Sequence, residues 1–190
     1  MIRIAVLGDI GSGKSFFAKQ FNIPLFCADT VVQNLYKTNK SIFFKLKKTF
    51  PKYLDKFPLK KSQLIDIVIK NPNNLKKIIK IVHPEVRERM QLFLKKNRKK
   101  KAVVLDVPLF LENRLDLSTD ILVLIVGDKK KVSLNLKKRI NFNPKIQKIL
   151  KSLQMPIYKK KEKADFVVKN NFNSAKIKKE ARILLNKIII

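Results

Sequence analysis

Apolar residues along this chain fall into two kinds of pattern. At residues 2–7, 24–27, 102–107, 121–126 and 166–168 they form short runs rich in Val, Ile, Leu and Phe, and such runs predict strands buried on both faces. Between the runs, apolar positions recur every three or four residues among lysines, as in Asn74-Leu75-Lys76-Lys77-Ile78-Ile79-Lys80-Ile81, which is the pattern of a helix with one core-facing stripe. Strands that alternate with helices predict an α/β fold in three layers, with a five-stranded parallel sheet and ligands at the carboxyl ends of its strands. The second and third strands stand too far apart for one crossover helix. Residues 31–101 hold several helical patterns, the last over 76–97, and are expected to form a helical substrate-binding insertion. Residues 131–151 predict two helices broken at Asn141-Phe142-Asn143-Pro144, the layout of a mobile lid. With no internal repeat and no Gly/Ser linker, segments 1–30, 102–130 and 152–190 are expected to form one core carrying both.

The first strand-to-helix junction carries the clearest chemistry. Gly8-Asp9-Ile10-Gly11-Ser12-Gly13-Lys14-Ser15 is a complete G-x-x-x-x-G-K-S phosphate loop and uses three of the chain's four glycines. A strand precedes it and Phe16-Phe17-Ala18-Lys19-Gln20-Phe21 resumes at helical spacing, the context the motif requires. Glycine lacks the Cβ that would keep backbone from a polyphosphate, so successive N–H groups and a helix N-terminus can converge on phosphate oxygens. Gly8, Gly11, Ser12, Gly13, Lys14, Ser15 and Phe16 are the candidate ATP-binding residues. Lys14 would bridge the terminal phosphates and the Ser15 hydroxyl would ligate Mg²⁺; a tight turn with a solvated lysine is the plainer reading. At the end of the second strand, Asp29 could take a proton from an attacking hydroxyl, orient Mg²⁺ through water, or cap the following helix.

Composition narrows the class further. A chain of 190 residues, 45% of them hydrophobic, suits one α/β core with a modest insertion. No apolar run approaches the roughly 18 residues that cross a bilayer, and the N-terminus enters a strand without a signal-peptide pattern, so a cytoplasmic protein is expected. Cys27 is the single cysteine and His83 the single histidine, which excludes an internal disulfide framework and a Cys/His zinc cluster. Cys27 is expected to be a small buried residue. The net charge of +30 suggests a polyanionic partner. Lysine, however, supplies 37 of the 44 basic side chains, scattered over helices and loops, whereas base and phosphate forks favour arginine. Neither a specific nucleic acid nor a membrane is expected as partner.

Several segments, in order, resemble the dephospho-CoA kinase family along nearly the whole chain. They are Gly8 to Ser15, Ala28-Asp29 followed by Leu35-Tyr36, His83-Pro84-Glu85-Val86, Leu105-Asp106-Val107-Pro108-Leu109-Phe110-Leu111-Glu112-Asn113, Gln154-Met155-Pro156, and Ala164-Asp165-Phe166-Val167-Val168 running into Asn170-Asn171. The resemblance implies a P-loop kinase that passes the ATP γ-phosphoryl group to the ribose 3′-hydroxyl of dephospho-CoA, with Mg²⁺, as a monomer or weak oligomer. It makes Asp29 the general base, with Lys14 and Arg139 the other catalytic residues. His83, Pro108, Leu109 and Phe110 join Asp29 at the acceptor, although His83 before a proline also reads as a helix boundary and an apolar strand exit as core. Asp106 could hold Mg²⁺ through water or be a strand-end carboxylate bonding nearby backbone. Arg139 would bring a guanidinium to the transferring phosphoryl group when the lid closes, and Asn170 and Asn171 would line the adenine pocket unless they are turn residues. Glu112 reads as a solvated loop acid. The chain departs from the family pattern at Cys27, in place of the first acid of an Asp-Ala-Asp triplet, and at Asp9, in place of a common glycine. Asn135 stands where a first lid arginine is expected, and Lys60 and Lys61 are nearest to a missing insertion arginine. A nucleoside or nucleotide kinase, and a nucleic-acid-binding P-loop ATPase, are the competing readings.

Overall fold

A computed structural model describes residues 1–138 and 142–189. The elements run β1 (Ile2–Gly8), α1 (Lys14–Gln20), β2 (Leu25–Cys27), α2 (Ala28–Thr38), α3 (Lys40–Thr49), α4 (Lys61–Lys70), α5 (Asn74–Lys96), β3 (Ala102–Asp106), β4 (Ile121–Gly127), α6 (Lys129–Lys137), α7 (Pro144–Ser152), α8 (Ile157–Lys163), β5 (Phe166–Asn170) and α9 (Ser174–Ile189). All five strands are parallel, in the order β2-β3-β1-β4-β5. The strands stand where the apolar runs predict them. Three continue beyond the runs because parallel pairing continues, through Gly8 opposite Ile125 and Gly127 opposite Asn170.

The period-two alternation of β1 sorts the core into two layers. Ile4 and Val6 face α1 and α9, packing with Phe17, Phe21, Ile177 and Ala181. Ala5 and Leu7 face the other way, into one cluster with Leu35, Ile42, Leu46, Ile67 and Val82 from α2 to α5. Helices α2 to α5 thus share the sheet's own core, each buried Leu or Ile contributing about 1.5–3 kcal/mol.

Pro84 lies inside α5, not at its boundary. It has no N–H for the Lys80 carbonyl, a loss offset on this helix by Ile78, Val82, Val86 and Met90, all buried. The break before α7 has a capping logic: the Asn143 side chain accepts the Ile146 N–H at 3.1 Å and Pro144 takes the first helical position. Arg139 lies outside the described residues. Among the described residues no helix is long and apolar enough to cross a membrane.

Candidate active site

The end of β1 folds as a loop that only glycine permits at its key points. Gly11 and Gly13 have φ of 82° and 91°, left-handed values that a side chain disfavours. A Cβ on Gly8 would stand 2.5 Å from the Ile125 carbonyl oxygen, and one on Gly13 would run into the Asn170 amide. Gly13 caps α1, so the loop's N–H groups and the positive end of the helix face the same space. Leu136 of α6 packs on Gly11, and Ile146 and Ile149 of α7 pack on the insertion side of the core. Helices α6 and α7 therefore touch the phosphate loop and the core shared with α2 to α5 respectively.

Lys14, Ser15, Asp106 and Asp29 come together at the carboxyl ends of β1, β3 and β2. The Lys14 ammonium donates to the Asp9 carbonyl at 3.0 Å. Burial pushes it below the ordinary lysine value; Asp106 opposes this, Lys160 reinforces it, and Asp29 and Asp9 oppose it more weakly. Asp106 is 3% exposed. Burial raises its carboxyl above the usual carboxylate range, against the lowering effects of a Ser15 hydrogen bond and the Lys14 charge. Asp106 also lies 3.7 Å from the Cys27 sulfur, its register partner on β2. Cys27 is half-buried and serves as the N-cap of α2 without a side-chain cap bond. Asp29 sits instead in the first turn, exposed, near enough to act on the charges of Lys14 and Asp106. The capping role weighed for Asp29 is therefore not the one the fold gives it.

Ser12 is buried, whereas Ser15 and Phe16 are exposed. Asn170 is buried and its amide is committed on both sides, donating to the Ser12 carbonyl at 2.9 Å and accepting the Phe172 N–H at 2.7 Å. Asn171 is exposed, and its carbonyl accepts from the Lys131 ammonium at 3.0 Å. Asn170 thus braces the phosphate loop itself, a task not evident from its place at the end of a strand.

Along α5 lies a cavity of about 500 Å³ lined by Ile79, Lys80, His83, Arg87, Gln91 and Asn113, among others. Burial, and then the Arg87 charge, push the His83 imidazole below its ordinary value. Asn113 reaches this cavity from the loop after β3. In that loop Pro108 is exposed, Leu109 half-buried, and Phe110 fully buried in the core. Leu109 has φ 57°, held by two hydrogen bonds to its carbonyl from the Asn113 backbone N–H at 2.9 Å and side chain at 2.8 Å. A strained non-glycine residue persists only where its surroundings enforce it.

Glu112 is not a solvated acid. Its Oε1 accepts the Met155 N–H at 2.6 Å and lies 3.5 Å from the Lys160 ammonium. Lys160 also pairs with Asp9 at 3.3 Å, and the Gln154 side chain accepts the Ile10 N–H at 3.3 Å. Nothing in the run Lys159-Lys160-Lys161 distinguishes the buried lysine from its exposed neighbours.

A central strand that runs into a glycine loop, with lysine and serine at the head of the next helix and an acid closing the neighbouring strand, defines a P-loop kinase, an ATP-dependent phosphotransferase. The model of the dephospho-CoA kinase family matches residues 2–176. The chain belongs to that family. The dephospho-CoA kinase of Wolbachia pipientis wMel is 32% identical over 170 residues, covering 87% of each chain, and that of Bartonella quintana is likewise 32% identical with 87% of each covered. Among solved structures, TT1252 from Thermus thermophilus superposes with TM-score 0.78 at 24% identity over 98% of this chain and 97% of that one. The dephospho-CoA kinase from Campylobacter jejuni gives 0.64 at 23% identity over 98% and 96%. These two establish likeness of fold.

Proposed function

We propose that this kinase transfers the γ-phosphoryl group of ATP to the 3′-hydroxyl of dephospho-CoA, giving CoA and ADP. The observation that carries the reading is the meeting of Lys14, Ser15, Asp106 and Asp29 around one crevice; α5 carries a separate cavity lined by His83, Arg87 and Asn113. Residues 31–101 then serve as the acceptor-binding insertion and 131–151 as the lid, with Arg139 its cation.

The ribose 3′-oxygen attacks the γ-phosphorus as the bond to the β–γ bridging oxygen breaks, and the electron pair leaves with ADP. Asp29, exposed at the mouth of the crevice, accepts the hydroxyl proton. Lys14, drawn back to the Asp9 carbonyl, keeps a positive charge at the rim of the loop where negative charge spreads over the transferring oxygens. The Ser15 hydroxyl beside the buried Asp106 carboxylate is an oxygen donor set suited to a hard cation. Mg²⁺ bound there would neutralise phosphate charge. Pro108 and Leu109 present the acceptor side of the loop, while Phe110 supports it from the core.

The test is CoA formation from dephospho-CoA and Mg-ATP. Asp29→Asn should lower kcat by about 10²–10⁴-fold, the usual worth of a general base, with nucleotide affinity nearly unchanged. Wild-type protein that forms no CoA, or that prefers a free nucleoside as acceptor, overturns the reading.

A further inference from the structure

Lys160 is a lysine where no solvated lysine is needed. Its side chain is 4% exposed, while Lys159 and Lys161 on either side are exposed. Withdrawing an ammonium from water is costly unless charge and hydrogen bonds compensate it. Here the compensation comes from two loops far apart in sequence: Asp9, in the phosphate loop, and Glu112, two residues beyond Phe110.

The Asp9 side chain is 44% exposed, so solvent could satisfy that carboxylate without a buried partner. Further contacts close the arrangement. Asp9 also holds Lys14 through its carbonyl, Glu112 holds the Met155 N–H, and Gln154 holds the Ile10 N–H. The donor loop, the loop that leads to Asn113 and the cavity, and the segment after α7 therefore meet at one ammonium.

We propose that Lys160 is a positioning residue for phosphoryl transfer, fixing the phosphate loop and the loop after β3 in one register by pairing with Asp9 and Glu112. The inference rests on the functional reading above. In-line transfer requires donor and acceptor to be aligned closely, and a misplacement of about 1 Å can cost roughly 100-fold in rate. Lys160 acts through Asp9 and Glu112; it sets the distance between the two loops that carry them.

The experiment compares Lys160→Met with the triple variant Asp9→Asn, Glu112→Gln, Lys160→Met. The triple variant removes all three charges, keeps an oxygen acceptor for the Met155 N–H and leaves the Asp9 carbonyl in place. Lys160→Met leaves two carboxylates facing each other and should melt earlier; the triple variant should recover most of that loss. In both, kcat should stay down by about 10- to 100-fold, with the KM of ATP and of dephospho-CoA within about threefold of wild type. Hydrogen exchange at the Ile10 and Met155 amides, read well below each melting midpoint, should speed up together by about tenfold.

Recovery of kcat and of both amides along with stability in the triple variant would make Lys160 a counter-charge only and overturn the proposal. A raised KM for ATP with kcat retained would make it a nucleotide ligand and overturn it equally. Should wild-type protein make no CoA, the functional reading falls, and the paired exchange rates alone decide whether Lys160 couples the two loops.

Discussion

At the phosphate loop a single added methyl group has nowhere to go; at the cavity on α5 there are about 500 Å³ of room. The donor half of the site is made of backbone: Gly8, Gly11 and Gly13 are pressed by Ile125, Leu136 and Asn170, and its ligand-facing groups are N–H bonds whose directions the chain path sets. The half proposed to take the acceptor is made of side chains, with His83 and Arg87 on one helix and Asn113 on a distant loop. Polyphosphate is the same in every ATP and can be met by a rigid cradle. An acceptor's remaining surface is particular to that acceptor, and side chains on a helix can supply particular contacts at little cost to the fold.

If the halves are separate in this sense, substitutions should sort by substrate. Gly13→Ala is expected to have the largest effect: with φ of 91° and the Asn170 amide in the way, the loop must open. ATP affinity measured by calorimetry should fall by about 100-fold or more, the scale of losing a preorganised backbone donor, while dephospho-CoA binding barely changes. Arg87→Gln comes next, with the KM of dephospho-CoA raised by about five- to tenfold, as for loss of a charged contact, and that of ATP unchanged. A comparable change in both constants for either variant would break the division.

The smallest effect sharpens it within the acceptor half. Burial, and to a lesser degree Arg87, lower the His83 imidazole in the folded state, so the native protein binds a proton less readily than the unfolded chain. Stability should therefore be unaffected by this group above the ordinary histidine range and should decline as pH falls from about 6.5 toward the folded midpoint. Arg87→Gln should raise that midpoint only part of the way, because burial remains. Denaturant unfolding at several pH values checks the first statement, and an NMR titration of the imidazole checks the second.

The same division decides what could be read in advance. The five strands and the phosphate loop were legible because they depend on contiguous residues: an apolar run for a doubly covered strand, a fixed glycine spacing for a cradle. Pro84 left a helix boundary open, and packing by Val82 and Val86 outweighs the one missing hydrogen bond within α5. Asn170 and Glu112 were ambiguous alone, since an amide or acid after a strand has the same local signature whether it meets water or a distant loop. Lys160 was invisible among its neighbours, since burial of one lysine in a lysine-rich helix is decided by Asp9 and Glu112, roughly 150 and 50 positions away in the chain.

The place of β1 in the sheet has a consequence for how the molecule is made. Its residues are synthesised before those of its two neighbours, β3, beginning at Ala102, and β4, beginning at Ile121. A strand with such distant partners waits until both have been synthesised before it can pair on both edges, and contacts of this long range form slowly. The glycine cradle at its end can therefore take shape only after the chain has passed Ile125, whose carbonyl limits Gly8. A ribosome stalled before that point holds the whole phosphate-binding motif and no site, and binding of ATP to nascent chains of increasing length would date the moment at which the enzyme comes into being.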